Sequence, residues 1–105
     1  MSRRARFQPE ASSELREAAR WYEARRPGFG LAFLAAVDDA IEMVVSWPNS
    51  GSPVAGASAG DDLIIRRARV HGFPYHVGYL HADDEILVLA IAHNRRRPGY
   101  WISRR

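Results

Sequence analysis

Apolar residues recur every three or four positions through the first half of the chain and every second position through the end, with a stretch of small polar residues between. Residues 4–8 are short and run into Pro9, which predicts a first strand followed at once by a helix with proline at its first position. Ala11, Leu15, Ala18 and Tyr22 then fall at helical spacing and Ala19 widens the stripe, while Glu10, Ser13, Glu14, Glu17 and Arg20 lie mostly off it. This helix is predicted to stop near residue 25 or 26, at the breaker Pro27-Gly28. A second runs from 29 or 30 to 47, with Phe33, Leu34, Val37, Ile41, Val44 and Val45 inward and Asp38, Asp39 and Glu42 outward. So short a connection predicts an antiparallel helical hairpin, with Trp21 and Tyr22 in its core.

Residues 48–62 are rich in turn formers and are predicted to be a connecting loop, because their side chains offer little chemistry. Beyond them the period becomes two. Residues 63–71 read as a strand, 73–80 as the next with Tyr75, Val77 and Tyr79 on one face, and 86–92 as a third that is apolar on both faces and therefore internal to the sheet. Gly72 and Pro74 tighten the first turn and residues 81–85 form the second. The predicted fold is α+β: a strand, a helical hairpin, then a three-stranded antiparallel meander, with the helices on one face of the sheet. At 105 residues the whole chain is expected to be one domain.

The formal net charge of +3 conceals an asymmetry. Residues 1–63 hold seven arginines against nine acids, a balance of −2, and residues 64–105 hold eight against three, a balance of +5. Every cation is arginine, which grips phosphate or carboxylate in two places but does not give up its proton. Cysteine is absent, which excludes disulfides, thiolate chemistry and cysteine-bound metals. No apolar run approaches the roughly 18 residues that span a bilayer, and the basic start lacks the apolar core of a signal peptide, so a cytoplasmic location without membrane contact is expected.

Candidate chemistry gathers in the basic half. Alternation puts Arg67, Arg69 and His71 on one face of their strand, and if Ala68 and Val70 face the helices, Arg67 and Arg69 project from the other face, about 7 Å apart. That spacing suits successive phosphates of a nucleic acid, although the open face of an antiparallel sheet is polar in any case. At the end of the last strand, His93 precedes Asn94, Arg95, Arg96 and Arg97, and Tyr100 and Trp101 follow. Cations, aromatic faces and an imidazole are what contact with a polyanion needs. If the chain is a nuclease, His93, Tyr100 and Arg69 are its candidate catalytic groups, with His76 a second proton-transfer candidate. As a binding surface, Arg67, Arg69, Arg95, Arg96, Arg97 and Trp101 are the candidates, although one of the adjacent aromatics Tyr100 and Trp101 is expected to fold back on the core. Asp83, Asp84 and Glu85 diverge as neighbours in a turn, so no metal site is expected, and no cofactor.

Phe7-Gln8-Pro9-Glu10-Ala11 with Glu14-Leu15, Ala18-Ala19-Arg20-Trp21-Tyr22-Glu23, Pro27-Gly28-Phe29-Gly30, Phe33-Leu34, Arg69-Val70, the run from Phe73 to Tyr79, Ala90-Ile91-Ala92-His93 and Arg97-Pro98-Gly99-Tyr100-Trp101 together resemble the RelE/ParE superfamily of bacterial toxins. The resemblance spans nearly the whole chain. It implies the toxin of a type II toxin–antitoxin pair, often called a plasmid stabilisation protein, neutralised by a cognate antitoxin. In the ribosome-dependent mRNA interferases of the RelE branch, basic residues on the second strand, an arginine on the third, another after the last strand and a C-terminal tyrosine serve catalysis. By position, Arg67, Arg69 and Tyr100 correspond, but His76 stands at the third-strand place and Asn94 near the later one, with Arg95 and Arg96 beside it. The ParE branch poisons DNA gyrase without nuclease residues, and the Phe73-Pro74-Tyr75 and His93-Asn94-Arg95 segments are more similar to it. The resemblance therefore implies a gyrase-binding toxin first, a ribosome-dependent endoribonuclease second, and a non-toxic nucleic-acid or protein-binding module third.

Overall fold

The computed structural model describes residues 4–58, 63–97 and 99–104, with backbone alone at 55–58. β1 (Arg4–Phe7) leads through an extended Gln8 into α1 (Pro9–Arg25), with Pro9 at the first helical position. After Gly28, whose φ of 91° suits a residue without a Cβ, α2 (Phe29–Ser46) runs back along α1. The first amides of α2 have no capping side chain of their own. Glu23 of α1 supplies it, accepting hydrogen bonds from the Gly28 and Gly30 N–H groups at 3.1 and 3.0 Å.

Four more strands follow: β2 (Ser52–Ser58), β3 (Ile64–Val70), β4 (Tyr75–Ala82) and β5 (Glu85–His93), and a 3-10 turn covers Ile102–Arg104. The sheet order is β1-β5-β4-β3-β2, with β1 parallel to β5 and every other pair antiparallel. The α+β architecture with a helical hairpin on one face is as expected, and β5 is internal. β2 corrects the reading of residues 48–62 as loop. Its small residues carry no apolar alternation, and it joins the edge of β3 through backbone pairing, which no side-chain pattern records. Residues 59–62 of that stretch lie outside the described residues.

The predicted turn at 81–85 contracts to Asp83-Asp84, both with positive φ, as a tight hairpin that follows the strand twist requires. Between the hairpin and the sheet lies a core that includes Phe33, Val37, Val44, Val70, Val77 and Ile86, with Tyr22 packed among Phe29, Phe33, Phe73 and Tyr75. Trp21 departs from expectation: it is 51% exposed, and the Arg25 guanidinium lies 3.6 Å over its ring. Adjacent helical positions point about 100° apart, so Tyr22 takes the inward place and Trp21 the outer. Among the described residues, no helix is long and apolar enough to cross a membrane.

A single extra residue controls the far face of the sheet. Tyr79 pairs with Val88 and Gly78 with Ala90, so Leu89 is a bulge that resets the alternation of β5. Ile91 consequently belongs to the helix-side core, while Leu89, Ala90 and Ala92 join Ile65 and Leu80 in a second cluster beneath the sheet. Gly78, Ala90 and Ala92 make a shallow trough there, and the ring of Trp101 occupies it.

Candidate functional site

Ala68 and Val70 pack toward the helices, and Arg67 and Arg69 share the far face with Ile65, as alternation predicts. Both arginines are exposed and line a hollow of about 310 Å³ with Ser52, His76 and Asn94. His76 is buried beside them, and its Nδ1 lies 2.9 Å from Asn94 Oδ1. Burial pushes the His76 imidazole below its ordinary pKa and the Arg67 charge lowers it further, while the Asn94 hydrogen bond opposes both. The hollow is thus cationic with a neutral imidazole at its base.

The tail does not lie on that face as a unit. His93 points to the helix side, its ring 5.1 Å from Tyr75, and it lines a cleft of about 550 Å³ between α1 and the tail, together with Trp21, Arg96 and Tyr100. Its Nδ1 accepts the Arg95 N–H at 3.0 Å. The sheet therefore separates His93 from Arg67 and Arg69. Arg95, Arg96 and Arg97 are all exposed, and Arg96 sits 4.3 Å over the Tyr100 ring. The candidate groups thus lie on two surfaces, His93 and Arg96 in the cleft beside α1 and Arg67 and Arg69 beneath the sheet, because residues 93 and 94 diverge to opposite sides of the sheet as alternation demands.

Trp101, a candidate for stacking on nucleic acid, is 1% exposed and fills the trough beneath the sheet. Burial removes it from any binding surface; the expectation that one of the two tail aromatics folds inward holds for it. Tyr100 is partly buried, and its hydroxyl donates a 2.6 Å hydrogen bond to Glu14 Oε2. Pro98 and Arg105 lie outside the described residues.

Glu14 organises this corner, a role that sequence reasoning missed. β1 pairs β5 only as far as Val88, so the β5 edge beyond has no neighbouring strand. Glu14 Oε1 accepts the Ile91 N–H at 3.1 Å and the Arg104 Nη1 at 2.9 Å, and Arg104 also donates to the Leu89 carbonyl at 3.3 Å. Side chains thus stand in for the missing strand. The available signal was position: Glu14 follows Ala11 by three and precedes Ala18 by four, at the border of the buried stripe.

These contacts constrain the chemistry. Burial, then the hydrogen bond and charge of Glu14, push the Tyr100 phenol up to about 12 from 10.0, so it is neutral and committed as a donor. The folded state holds this proton more tightly than the unfolded chain. Its stabilisation is complete below pH 10 and is lost as the pH climbs through about 12. Denaturant midpoints are expected to fall across that window, and less steeply in Tyr100→Phe; an unchanged slope would show that the Glu14 contact is not formed. Tyr22, Tyr75 and Tyr79, also raised by burial, account for the remainder. Among the described residues, no group of three or more His, Cys, Asp or Glu side chains is arranged to hold a metal ion.

The model of the family described as the ParE toxin of type II toxin–antitoxin system, parDE, matches residues 5–98. A solved structure described as the chromosomal ParDE TA system from P. aeruginosa aligns with a TM-score of 0.70 at 16% identity, covering 89% of this chain and 96% of that one. At that identity the likeness establishes the shared fold. No curated protein matches the chain in sequence. With the family model spanning almost all of it, from the first strand to the tail, the chain belongs to the ParE family of toxins from type II toxin–antitoxin systems.

Proposed function

We propose that this toxin arrests growth by binding DNA gyrase in the cytoplasm, and that a cognate antitoxin neutralises it. The observation that carries this reading is the separation of His93 from Arg67 and Arg69 by the sheet, with Tyr100 already engaged by Glu14. A nuclease needs its proton donor, acceptor and phosphate-holding cations around one reacting atom. A binding protein needs only exposed cations on a rigid surface, and Arg67, Arg69, Arg95, Arg96 and Arg97 supply them. The +5 half also suits an acidic antitoxin segment that folds as it binds.

Purified gyrase incubated with the protein is expected to accumulate cleaved DNA. Replacing Arg67 and Arg69 together by alanine should weaken this by roughly tenfold, with folding intact because both are exposed. Gyrase activity unchanged at saturating toxin would sink the reading.

One observation favours a second reading. His76 is the imidazole that shares a hollow with Arg67 and Arg69, and a neutral imidazole beside cations can accept a proton from a ribose hydroxyl. On that reading, mRNA on the ribosome is cut and His76→Gln abolishes the cut, whereas the gyrase reading expects intact mRNA.

A further inference from the structure

α2 carries a second row of side chains, opposite the one it buries. Leu31, Ala35, Asp39, Met43 and Trp47 follow one another at intervals of four and all are exposed. The large members stand far out: Leu31 is 73%, Met43 55% and Trp47 67% exposed. From Leu31 to Met43 the helical part of the row is about 18 Å long, and Trp47, the residue that caps the helix, extends it. Scattered surface hydrophobics need no explanation, but an aligned series along one ridge has the form of a helix-docking surface. None of its members is claimed by the core or by the basic hollow and cleft described above, although Asp39 and Met43 approach the β3 edge.

Charge selects the occupant. Asp39 lies in the row and Asp38 and Glu42 flank it, and α2 contains no basic residue, in a chain whose fifteen cations otherwise dominate. A second copy of α2 on this face would set three carboxylates against three, so self-pairing is disfavoured. Near the end of the helix, Asp39, Glu42, Met43, Ser46 and Trp47 line a hollow of about 310 Å³, in which an indole wall meets two carboxylates. That combination has the chemistry to take a guanidinium or ammonium group, with an aromatic face and carboxylates for the charge and Met43 for its aliphatic stem. The same chain already shows the aromatic half of such a contact, where Arg25 lies over the exposed ring of Trp21.

We propose that the outer face of α2 docks a basic amphipathic helix of a protein partner. Its apolar side lies along Leu31, Ala35 and Met43, and an arginine or lysine enters the hollow at Trp47. Asp39 and Met43 also line a hollow of about 520 Å³ with Arg67 and Arg69, so this surface adjoins the basic face, whereas the hollow at Trp47 has no cation in its lining.

Two synthetic helical peptides of about five turns, one alternating leucine faces with arginine and the other with glutamate in place of arginine, provide the test against the full chain. The arginine peptide is expected to bind saturably, shifting backbone amide resonances of residues 31–47 and leaving those of α1 in place. Trp47→Ala, and separately Asp39→Asn with Glu42→Gln, should each weaken it by roughly tenfold. Thermal melts of these exposed variants should match the parent. No saturable binding, equal affinity for the glutamate peptide, shifts centred on α1, or concentration-dependent dimerisation through α2 would each overturn the proposal.

Discussion

Trp101→Ala is expected to cost about 3–5 kcal/mol of folding stability, the range for removing a large aromatic from a closed core. The ring is fully buried against Gly78, Ala90 and Ala92, so its loss opens a void beneath the centre of the sheet. The complementary change locates the contact. A Cβ added at Gly78 would lie 2.5 Å from the Trp101 ring, so Gly78→Ala should cost roughly 1–3 kcal/mol by overpacking. In the Trp101→Ala background the same methyl enters empty space and should cost almost nothing. Chemical denaturation of the four proteins gives the coupling directly. Additive losses would mean that the ring lies elsewhere. Alanine at 101 with full stability and lost target binding would restore the surface role first expected of this residue.

Glu14→Ala should be the next most damaging change, at roughly 2–4 kcal/mol. One carboxylate accepts from the Ile91 N–H, the Tyr100 hydroxyl and the Arg104 guanidinium, and the Glu14 and Arg104 side chains are only 17% and 18% exposed. Alanine strands all three donors at once. Glutamine keeps the shape but offers one oxygen and an N–H₂ where two acceptors are needed, so a loss about half as large is expected. Amide exchange at Ile91 should quicken beyond the global loss, because its partner is removed locally. A cost under about 0.5 kcal/mol, within the range of ordinary surface changes, would contradict the role assigned to Glu14.

The helical hairpin was legible because burial of one stripe requires a three-to-four period, and Ala11, Leu15, Ala18, Phe33, Val37 and Val44 supply it. Arg67 and Arg69 were legible for the same reason in period two. β2 was not, since an edge strand held by backbone hydrogen bonds needs no apolar alternation. Trp21 was expected in the core and is exposed, while for Trp101 the sequence offered both a surface role and burial, and burial is what the structure shows. Composition says only that an indole is amphipathic; the neighbouring positions decide, Tyr22 displacing Trp21 outward and the trough at Gly78 drawing Trp101 inward. Glu14 looked like one more solvated acid because its partners are separated from it by 77 to 90 positions.

The amino-acid order by itself determined the two helices, the four strands other than β2, the basic second half and the resemblance that the family match bears out, because periodicity, charge and motif are local properties of the chain. Tertiary structure alone decided which groups meet. One bulged residue, Leu89, reverses the side that every later residue of β5 faces, sending His93 toward α1 while Asn94 joins His76 below. That reversal turned a tail read as one cationic site into a buried anchor and two separate surfaces.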